Sequence, residues 1–259
     1  MSVHPWVAWY AFRRHTAYPL GAFTEGLTNT VFGLLRAYIL IAVWAERPSL
    51  GGYDVTDAVT FCFLTQALLG AVQVFGGMDL TARIRTGDVA IDLYRPVGLL
   101  GWWLADDVGR ALATLLLRAG PPLLTGAIIF DLRAPSPARA AAFAAAFALA
   151  VLVSFALRYL VALAMFWLSD DQGVQMISLV LTLFFSGMVL PLVVFPGALG
   201  TAAGWLPWSA LIQVPADVYL GKRDVAGALA FQAAWAAALL AAAHLVTRAA
   251  RHRLVVQGG

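Results

Sequence analysis

The chain has 259 residues, of which 61% are hydrophobic and only 12% are Asp, Glu, Lys or Arg. A soluble protein has about 25% charged residues, so this chain has too few to cover a water-facing surface, and an integral membrane protein is predicted. The net charge of +3 is small and forms no basic stripe with interleaved aromatics, which argues against nucleic-acid binding. A single cysteine, Cys62, excludes an internal disulfide.

Residues 1–26 are predicted to form an interfacial elbow, with a helix over about residues 5–20. Trp6, Trp9 or Tyr10, and Arg13 recur at helical spacing, and aromatics beside arginines favour the headgroup region of a membrane. A disordered arm with chance aromatics is the alternative. Pro19 is expected to bend the chain into the first membrane span.

Six apolar runs are each near or above the ~20 residues that cross a bilayer as a helix. Backbone groups in lipid must pair within their own segment, and the runs are too long and uniform for barrel strands, so an all-α fold with six transmembrane helices is predicted. Gly120-Pro121-Pro122 is expected to kink or break the third helix. The six predicted spans cover residues 27–45, 58–77, 105–130, 141–168, 175–195 and 226–246 of the six-span core, 27–246.

A charged segment, residues 79–96, separates the second and third spans. Its pattern predicts one short helix over residues 79–86 and a second over 88–94, with a break at Gly87 and an N-cap at Asp88. Arg95-Pro96 would end the second helix. The segment is interpreted as a knob that docks into a partner outside the membrane, or as an amphipathic connector that rests on lipid.

A stretch rich in Pro, Gly and Trp, about residues 196–215, separates the fifth and sixth spans. It is too apolar for an exposed loop and predicts short re-entrant helices, with Trp205 and Trp208 at the interface. A basic tail, residues 247–259, ends the chain. The placement of the arginines favours a multi-pass protein with both termini in the cytoplasm.

Motifs for catalysis and nucleotide binding are not evident in the sequence. A P-loop needs a lysine followed by Ser or Thr, but the only lysine, Lys222, precedes Arg223. The histidines have no spacing typical of a metal site. The adjacent carboxylates Asp106-Asp107 and Asp170-Asp171 are interpreted as solvated or capping groups, since adjacent residues on a helix do not face each other. A non-enzymatic chain without a metal is predicted.

Three arginines, Arg36, Arg118 and Arg158, fall well inside the predicted spans one, three and four. Such charges are costly in a membrane and should face protein, water or a partner. Contact with an anionic substrate or a lipid headgroup is one interpretation. Snorkelling towards an interface from misplaced span boundaries is the other.

The segment from Arg83 to Pro96 resembles the signature region of ABC-2 type permeases, in the branch of two-component bacterial exporters whose ATPase is a separate chain. The similarity covers about residues 25–225. Short motifs recur downstream in the family's order: Phe166-Trp167-Leu168, Phe185-Ser186-Gly187, Pro191-Leu192, Phe195-Pro196, Leu206-Pro207 and Val218-Tyr219-Leu220-Gly221.

The resemblance implies a single transmembrane domain over residues 1–259, the permease of an exporter in a bacterial plasma membrane. This permease would pair with an identical or homologous subunit and contact membrane lipids. Two copies of a cytosolic ATPase would bind ATP and Mg²⁺, so no cofactor is expected in this chain. The coupling helix would be the segment 79–96, with candidate contacts at Arg83, Ile84, Thr86, Gly87, Asp88, Asp92 and Arg95. Candidates for lining or gating the pathway, with ordinary packing as the alternative, are Phe184, Phe185, Met188 and Pro191.

Two other functions stay open on the residues alone. An ion-driven secondary transporter would place ionisable residues at a midplane site between inverted halves, and the sequence has no visible repeat. A membrane-embedded lipid-modifying enzyme would need acidic or histidine residues clustered near one interface, and no convincing cluster is visible.

Overall fold

The computed structural model describes residues 3–94, 97–168 and 172–251, and all regular elements in these ranges are helices. The predicted all-α fold is confirmed for this part of the chain. The helices are α1 (His4–Thr16), α2 (Pro19–Glu46), α3 (Val55–Leu68), α4 (Asp79–Thr86), α5 (Val89–Leu93), α6 (Leu99–Arg118), α7 (Gly120–Phe130), α8 (Pro137–Leu163), α9 (Gln172–Phe185), α10 (Gly197–Trp205), α11 (Gln213–Leu220) and α12 (Val225–Arg251).

Four helical stretches of the described chain are long and apolar enough to cross a membrane. They correspond to the first, third, fourth and sixth predicted spans, and each runs past at least one of the predicted ends. The longest reaches back to Leu99, because helix α6 starts directly after the charged segment. These four stretches are Pro19–Glu46, Leu99–Phe130, Pro137–Phe166 and Val225–Arg251.

The two remaining predicted spans contain shorter helices than the hydropathy indicated. Helices α3 and α9 have 14 residues each, about 21 Å at 1.5 Å per residue, against a hydrocarbon core of about 30 Å. The prediction of continuous helix over 58–77 and 175–195 was wrong. The chain remains apolar through the turns at 69–77 and 186–191 that follow these helices. Hydropathy indicates that a segment avoids water, but it does not indicate whether its backbone is helical.

The predicted break in the third span is present. Helix α6 ends at Arg118 and α7 begins at Gly120, with Ala119 between them at φ −75°. Pro121 and Pro122 thus lie in the first turn of α7, where a proline removes no hydrogen bond that the helix could otherwise make.

Helix α3 lies at the centre of the bundle. Twelve of its 14 residues are buried, among them Phe61, Cys62 and Phe63. A helix that is apolar on all sides is stable only when neighbours surround it, and α3 contacts α2, α6, α7 and α11. The helix from Asp57 to Leu68 is consequently held inside the protein, and its exposed start at Asp54 and Val55 lies at the surface.

Helix α1 packs along the first half of α6. The close approach depends on Gly109, where a Cβ atom would collide with the carbonyl oxygen of Ala8. The predicted helix over 5–20 is divided, because α1 ends at Thr16 and Pro19 already begins α2. The aromatic rings of Trp6 and Trp9 are exposed, and the interfacial position of α1 stays a prediction.

Candidate functional sites: a surface helix pair and the two ends of α3

Helices α4 and α5 form a compact pair joined at Gly87. This glycine has φ 84°, in the left-handed region that other residues avoid, so the predicted break is present. The predicted N-cap is absent, because the Asp88 side chain precedes α5 but accepts no hydrogen bond from a backbone N–H group of that helix. Its carboxylate instead accepts a hydrogen bond from the Thr86 hydroxyl at 2.9 Å, which closes the turn.

The two short helices are tied together by Arg83. Its guanidinium donates to both carboxylate oxygens of Asp92, at 2.6 and 3.0 Å, and to the carbonyl oxygen of Asp88 at 3.3 Å. The hydrogen bond to Asp92 raises the pKa of Arg83 above its ordinary value. Two parallel N–H···O bonds fix orientation as well as distance, which makes α4 and α5 one rigid body.

One face of this pair is buried and the other is exposed. Leu80 and Val89 are fully buried in a cluster with residues of α6, α8 and α12, and Ile84 packs at its margin. On the other side Ile91 is 62% exposed and Tyr94 is 88% exposed. Sequence reasoning did not select these two apolar residues; their outward direction follows from the register set by the Arg83–Asp92 pair.

Six of the seven predicted coupling residues are described, and they have three different positions in the pair. Thr86, Gly87 and Asp88 form the exposed turn. Arg83 and the buried Asp92 hold the segment from within, and Ile84 attaches it to the bundle. Arg95 lies outside the described residues.

The N-terminal end of α3 is closed by a cluster of two carboxylates and two cations, the N-end cluster (Asp54, Asp57, Arg133 and Lys222). Asp54 and Asp57 form a reciprocal capping box, each accepting the other's backbone N–H group. Asp57 is fully buried and lies 2.7 Å from Arg133 and 2.6 Å from Lys222. Carboxylates at a helix N-terminus interact favourably with its dipole, and these cations join the α7–α8 and α11–α12 connections to that end.

Burial and hydrogen bonds act in opposite directions on the carboxylates near this end. Burial favours a higher pKa for Asp54, but the Asp57 backbone N–H and Arg133 outweigh it and hold that pKa below the ordinary value. Deeper in the protein, the Tyr53 hydroxyl and the Gln213 amide donate to Asp217. Burial dominates there and raises the pKa of Asp217, and burial and the neighbouring carboxylate raise that of Tyr53 well above its usual range.

The C-terminal end of α3 is held by a second group, the C-end cluster (Gln73, Asp107, Arg110, Ser154 and Arg158). Arg110 donates to the carbonyl oxygens of Gly70 at 2.8 Å and Ala71 at 2.9 Å. The Ser154 hydroxyl donates to the carbonyl oxygen of Val72. These three carbonyl groups belong to the turn that follows α3, and buried backbone acceptors need hydrogen-bond partners, so these donors explain how the chain can leave the helix inside the protein.

Asp107 balances part of the charge in the C-end cluster. It lies 2.8 Å from Arg110 and 2.7 Å from Arg158, and all three side chains are nearly buried. Arg158 also donates to Gln73 at 2.8 Å and Ser154 at 3.2 Å. The interpretation of Asp107 as a solvated or capping carboxylate was wrong, because α1, α3 and α8 enclose it with two arginines. Its neighbour Asp106 does pair at the surface, with the exposed Arg14.

The other intramembrane arginines differ from Arg158. Arg118 pairs with Glu25 across α2 and α6, while its Nε atom is buried without a hydrogen-bond partner in the described chain. Arg36 has three buried guanidinium nitrogens, and none has a hydrogen-bond partner among the described residues. Snorkelling does not describe Arg158, whose partners are buried protein groups.

The four predicted lining or gate residues do not share one surface. Phe184 is exposed on α9. Phe185 packs against Trp208, with ring centroids 6.3 Å apart, and Met188 packs at the edge of the central core. Pro191 is buried. A role in the pathway stays a prediction for all four.

The family comparison agrees with the sequence resemblance. The chain matches the family model described as ABC-2 family transporter protein over residues 31–258. No curated protein and no solved structure matches it. The match favours a transporter over the lipid-modifying enzyme and the ion-driven carrier. With its membrane-spanning apolar helices, this chain belongs to the ABC-2 transporter family and is a multi-pass membrane permease of an ABC-type system.

Proposed function

We propose that the chain is the membrane subunit of a bacterial exporter and that the α4–α5 pair receives the movement of a separate cytosolic ATPase. The observation that carries the proposal is a rigid helix pair that turns apolar side chains, Ile91 and Tyr94, away from the bundle. Aromatic and apolar side chains on a rigid, exposed element are typical anchors of protein interfaces. The family match supports an ABC-type partner.

In this proposal the residues of the segment have different roles. Ile91, Tyr94 and the turn at Thr86–Asp88 contact the ATPase. Arg83 and Asp92 are positioning residues, since their ion pair lies inside the segment. Arg95 is kept as a contact candidate on the sequence argument alone.

The buried face of the pair supplies a route for the movement. Leu80 and Val89 pack in one cluster with Trp103 of α6 and Tyr159 of α8. Packed side chains of this kind move together rather than deform. Displacement of α4–α5 would therefore tilt α6 and α8 as rigid bodies and shift the population between inward-open and outward-open states.

The same proposal includes six membrane crossings. Helices α3 and α9, with the apolar turns that follow them, would be the second and fifth crossings, and α10 and α11 would be re-entrant. Both termini and α4–α5 would then face the cytoplasm, and a second permease subunit would complete the pathway. Phe184, which is exposed on α9, is the gate candidate that would face that subunit.

Co-expression with the cognate ATPase and purification in mild detergent test the docking role. We expect the double change Ile91→Ala and Tyr94→Ala to lower ATPase retention at least about tenfold, because truncated interface anchors typically cost 2 kcal/mol or more each. Asp92→Ala should also lower retention, because it releases Arg83. The matched control is Leu199→Ala, an exposed apolar residue on α10. Full retention by the double variant would contradict the proposal.

A further inference from the structure

A cavity of about 340 Å³ lies beside the C-end cluster, between α8, α9 and the segment that follows α3. Small-molecule sites typically occupy about 300–1,000 Å³ and combine apolar walls with a few polar groups. The walls here are mainly aliphatic, with Leu157, Val161 and Leu179 among them. On the side of the C-end cluster the wall is formed by Gln73, Ser154 and Arg158, and Arg158 is the one charged side chain among the described lining residues. Uncharged polar side chains of α9 also line the cavity: Gln172, Gln175, Ser178 and Thr182.

The C-end cluster carries more positive than negative charge. Arg110 and Arg158 share the single carboxylate of Asp107. The carbonyl oxygens at the end of α3 offset part of the excess, since the helix dipole contributes about half a negative charge there. An unbalanced buried charge is costly in a membrane protein and indicates a functional site by default.

Arg158 has N–H groups that its described partners do not use. A guanidinium group carries five N–H donors, and Arg158 uses one each for Ser154, Gln73 and Asp107. The other two have no partner in the part of the chain that the structure describes. Arg110 does not line this cavity, and its contacts to Gly70 and Ala71 are structural. Arg158 is therefore the cation that a ligand in the cavity can reach.

We infer that this cavity binds an amphiphile with an anionic head group, which pairs with Arg158 while its hydrocarbon part lies against α8 and α9. Carboxylate and phosphate share the required chemistry, because a planar guanidinium can donate two parallel hydrogen bonds to either. The cavity supplies the apolar contact that a free inorganic anion would not use. The inference rests on the proposed function in one respect: it takes the amphiphile to be the cargo of the exporter.

A second cavity, of about 360 Å³, lies on the other side of the C-end cluster, between α1, α2 and α6. It is lined by Arg110 and Arg118. Arg110 is already bound to Asp107 and to two carbonyl oxygens, and Glu25, which also lines the cavity, pairs with Arg118. The carboxylate would repel an anionic head group, so an amphiphile of this kind favours the site beside Arg158.

Photolabelling of the full chain in phosphatidylcholine nanodiscs tests the inference without the ATPase. The probes are four twelve-carbon chains with a diazirine, carrying a phosphate, a carboxylate, a hydroxyl or an ammonium head group. We expect the phosphate and carboxylate probes to label α8 and α9 around Leu157 and Leu179, and the hydroxyl and ammonium probes to label this site at least about tenfold less, as expected for a partly desolvated charge pair. The ratio of labelling by the phosphate probe to labelling by the carboxylate probe shows which of these two head groups the cavity prefers.

Two variants on α9 provide the matched comparison. Ser178→Phe fills the cavity, because Ser178 lines it, whereas Ile177→Phe adds the same ring on the exposed side of the helix. We expect Ser178→Phe to abolish the site-specific labelling and Ile177→Phe to leave it unchanged. Arg158→Gln should reduce labelling by the anionic probes and Arg158→Lys should restore it; if Arg158→Gln does not insert, the α9 pair still decides. Equal labelling by all four probes, or labelling that persists in Ser178→Phe, overturns the inference.

The cargo assignment has its own readout. In the complex with its ATPase, the anionic probes should stimulate ATP hydrolysis, and Ser178→Phe should remove the stimulation. Labelling without stimulation would retain the binding site but reject the amphiphile as cargo. Loss of ATPase co-purification would instead reject the docking role, so the two failures are distinct.

Discussion

The two ends of α3 are both held by charged side chains from distant parts of the chain, but only one end is balanced. At the N-end cluster, Asp54 and Asp57 face Arg133 and Lys222. At the C-end cluster, the two guanidinium groups of Arg110 and Arg158 face one carboxylate, Asp107. Both arrangements complement the helix dipole, with carboxylates at the start of α3 and cations at its end.

The difference separates a structural clamp from a candidate ligand site. The balanced N-end cluster completes a capping box and joins two connections to α3, so each charge has a partner inside the protein. The C-end cluster performs a similar task for the carbonyl groups of the turn after α3, yet retains one cation beside a cavity, with two N–H groups that have no partner among the described residues. Excess charge, rather than burial of charge, is what points to a ligand.

The largest effect is expected from breaking the C-end cluster. Asp107→Ala leaves Arg110 and Arg158 buried without a carboxylate, and removing one partner of a buried ion pair costs about 3–5 kcal/mol. We expect a steep loss of monodisperse protein in thermal ramps followed by size-exclusion chromatography. The adjacent change Asp106→Ala should cost less than about 1 kcal/mol, because its partner Arg14 is largely exposed. Similar losses of stability in both variants would contradict the structural role of Asp107 in holding Arg110 and Arg158.

A smaller loss is expected at the N-end cluster. Asp57→Asn keeps an oxygen that accepts the Asp54 backbone N–H but removes the charge between Arg133 and Lys222, for a cost of about 1–3 kcal/mol. Asp54→Asn is the control, because Asn caps helices as well as Asp does and the Asp54 side chain is more than half exposed. The same thermal ramps measure both variants. Equal stability of Asp57→Asn and the wild type would argue against the clamp.

The smallest effect concerns pH at the N-terminal side. The pKa of Asp217 is raised in the folded chain, so its stabilising contribution is present below the unfolded pKa of about 3.9 and declines as pH rises through the folded value. Asp217→Asn should therefore gain stability relative to wild type as pH rises from 4 to 7, by about 1.4 kcal/mol per unit of pKa difference. Thermal ramps at several pH values measure this difference. A constant difference across that range would contradict the raised pKa.

The long helices could be predicted from the sequence because hydropathy and length report them directly. The break at Gly120-Pro121-Pro122 and the turn at Gly87 were also readable, since proline and left-handed glycine act locally. The capping pattern Asp54-x-x-Asp57 carries a local signal as well, although sequence reasoning did not use it.

The ends of α3 and α9 could not be predicted in the same way. Helix α3 stops at Leu68 inside an apolar run, and the turn that follows is stable there because Arg110 and Ser154, about 40 and 80 residues away, donate to the carbonyl oxygens of Gly70, Ala71 and Val72. Asp107 looked like a surface carboxylate for a similar reason: its neighbour Arg110 lies only three residues away, but the second arginine that buries it, Arg158, comes from α8, 51 residues further along the chain. A pairing of this kind is set by tertiary packing and leaves no local pattern.

Site-specific photocrosslinking measures the central contact, that between α4–α5 and an ATPase, most directly. The native Cys62 is buried, so a benzophenone maleimide can be attached at Ile91→Cys, with Leu199→Cys as the comparison. We expect illumination of the co-expressed complex to join the ATPase to the probe at residue 91, with a yield that changes on ATP binding, and not to the probe at residue 199. A co-purified ATPase that forms no adduct at residue 91 would contradict the docking role of the helix pair.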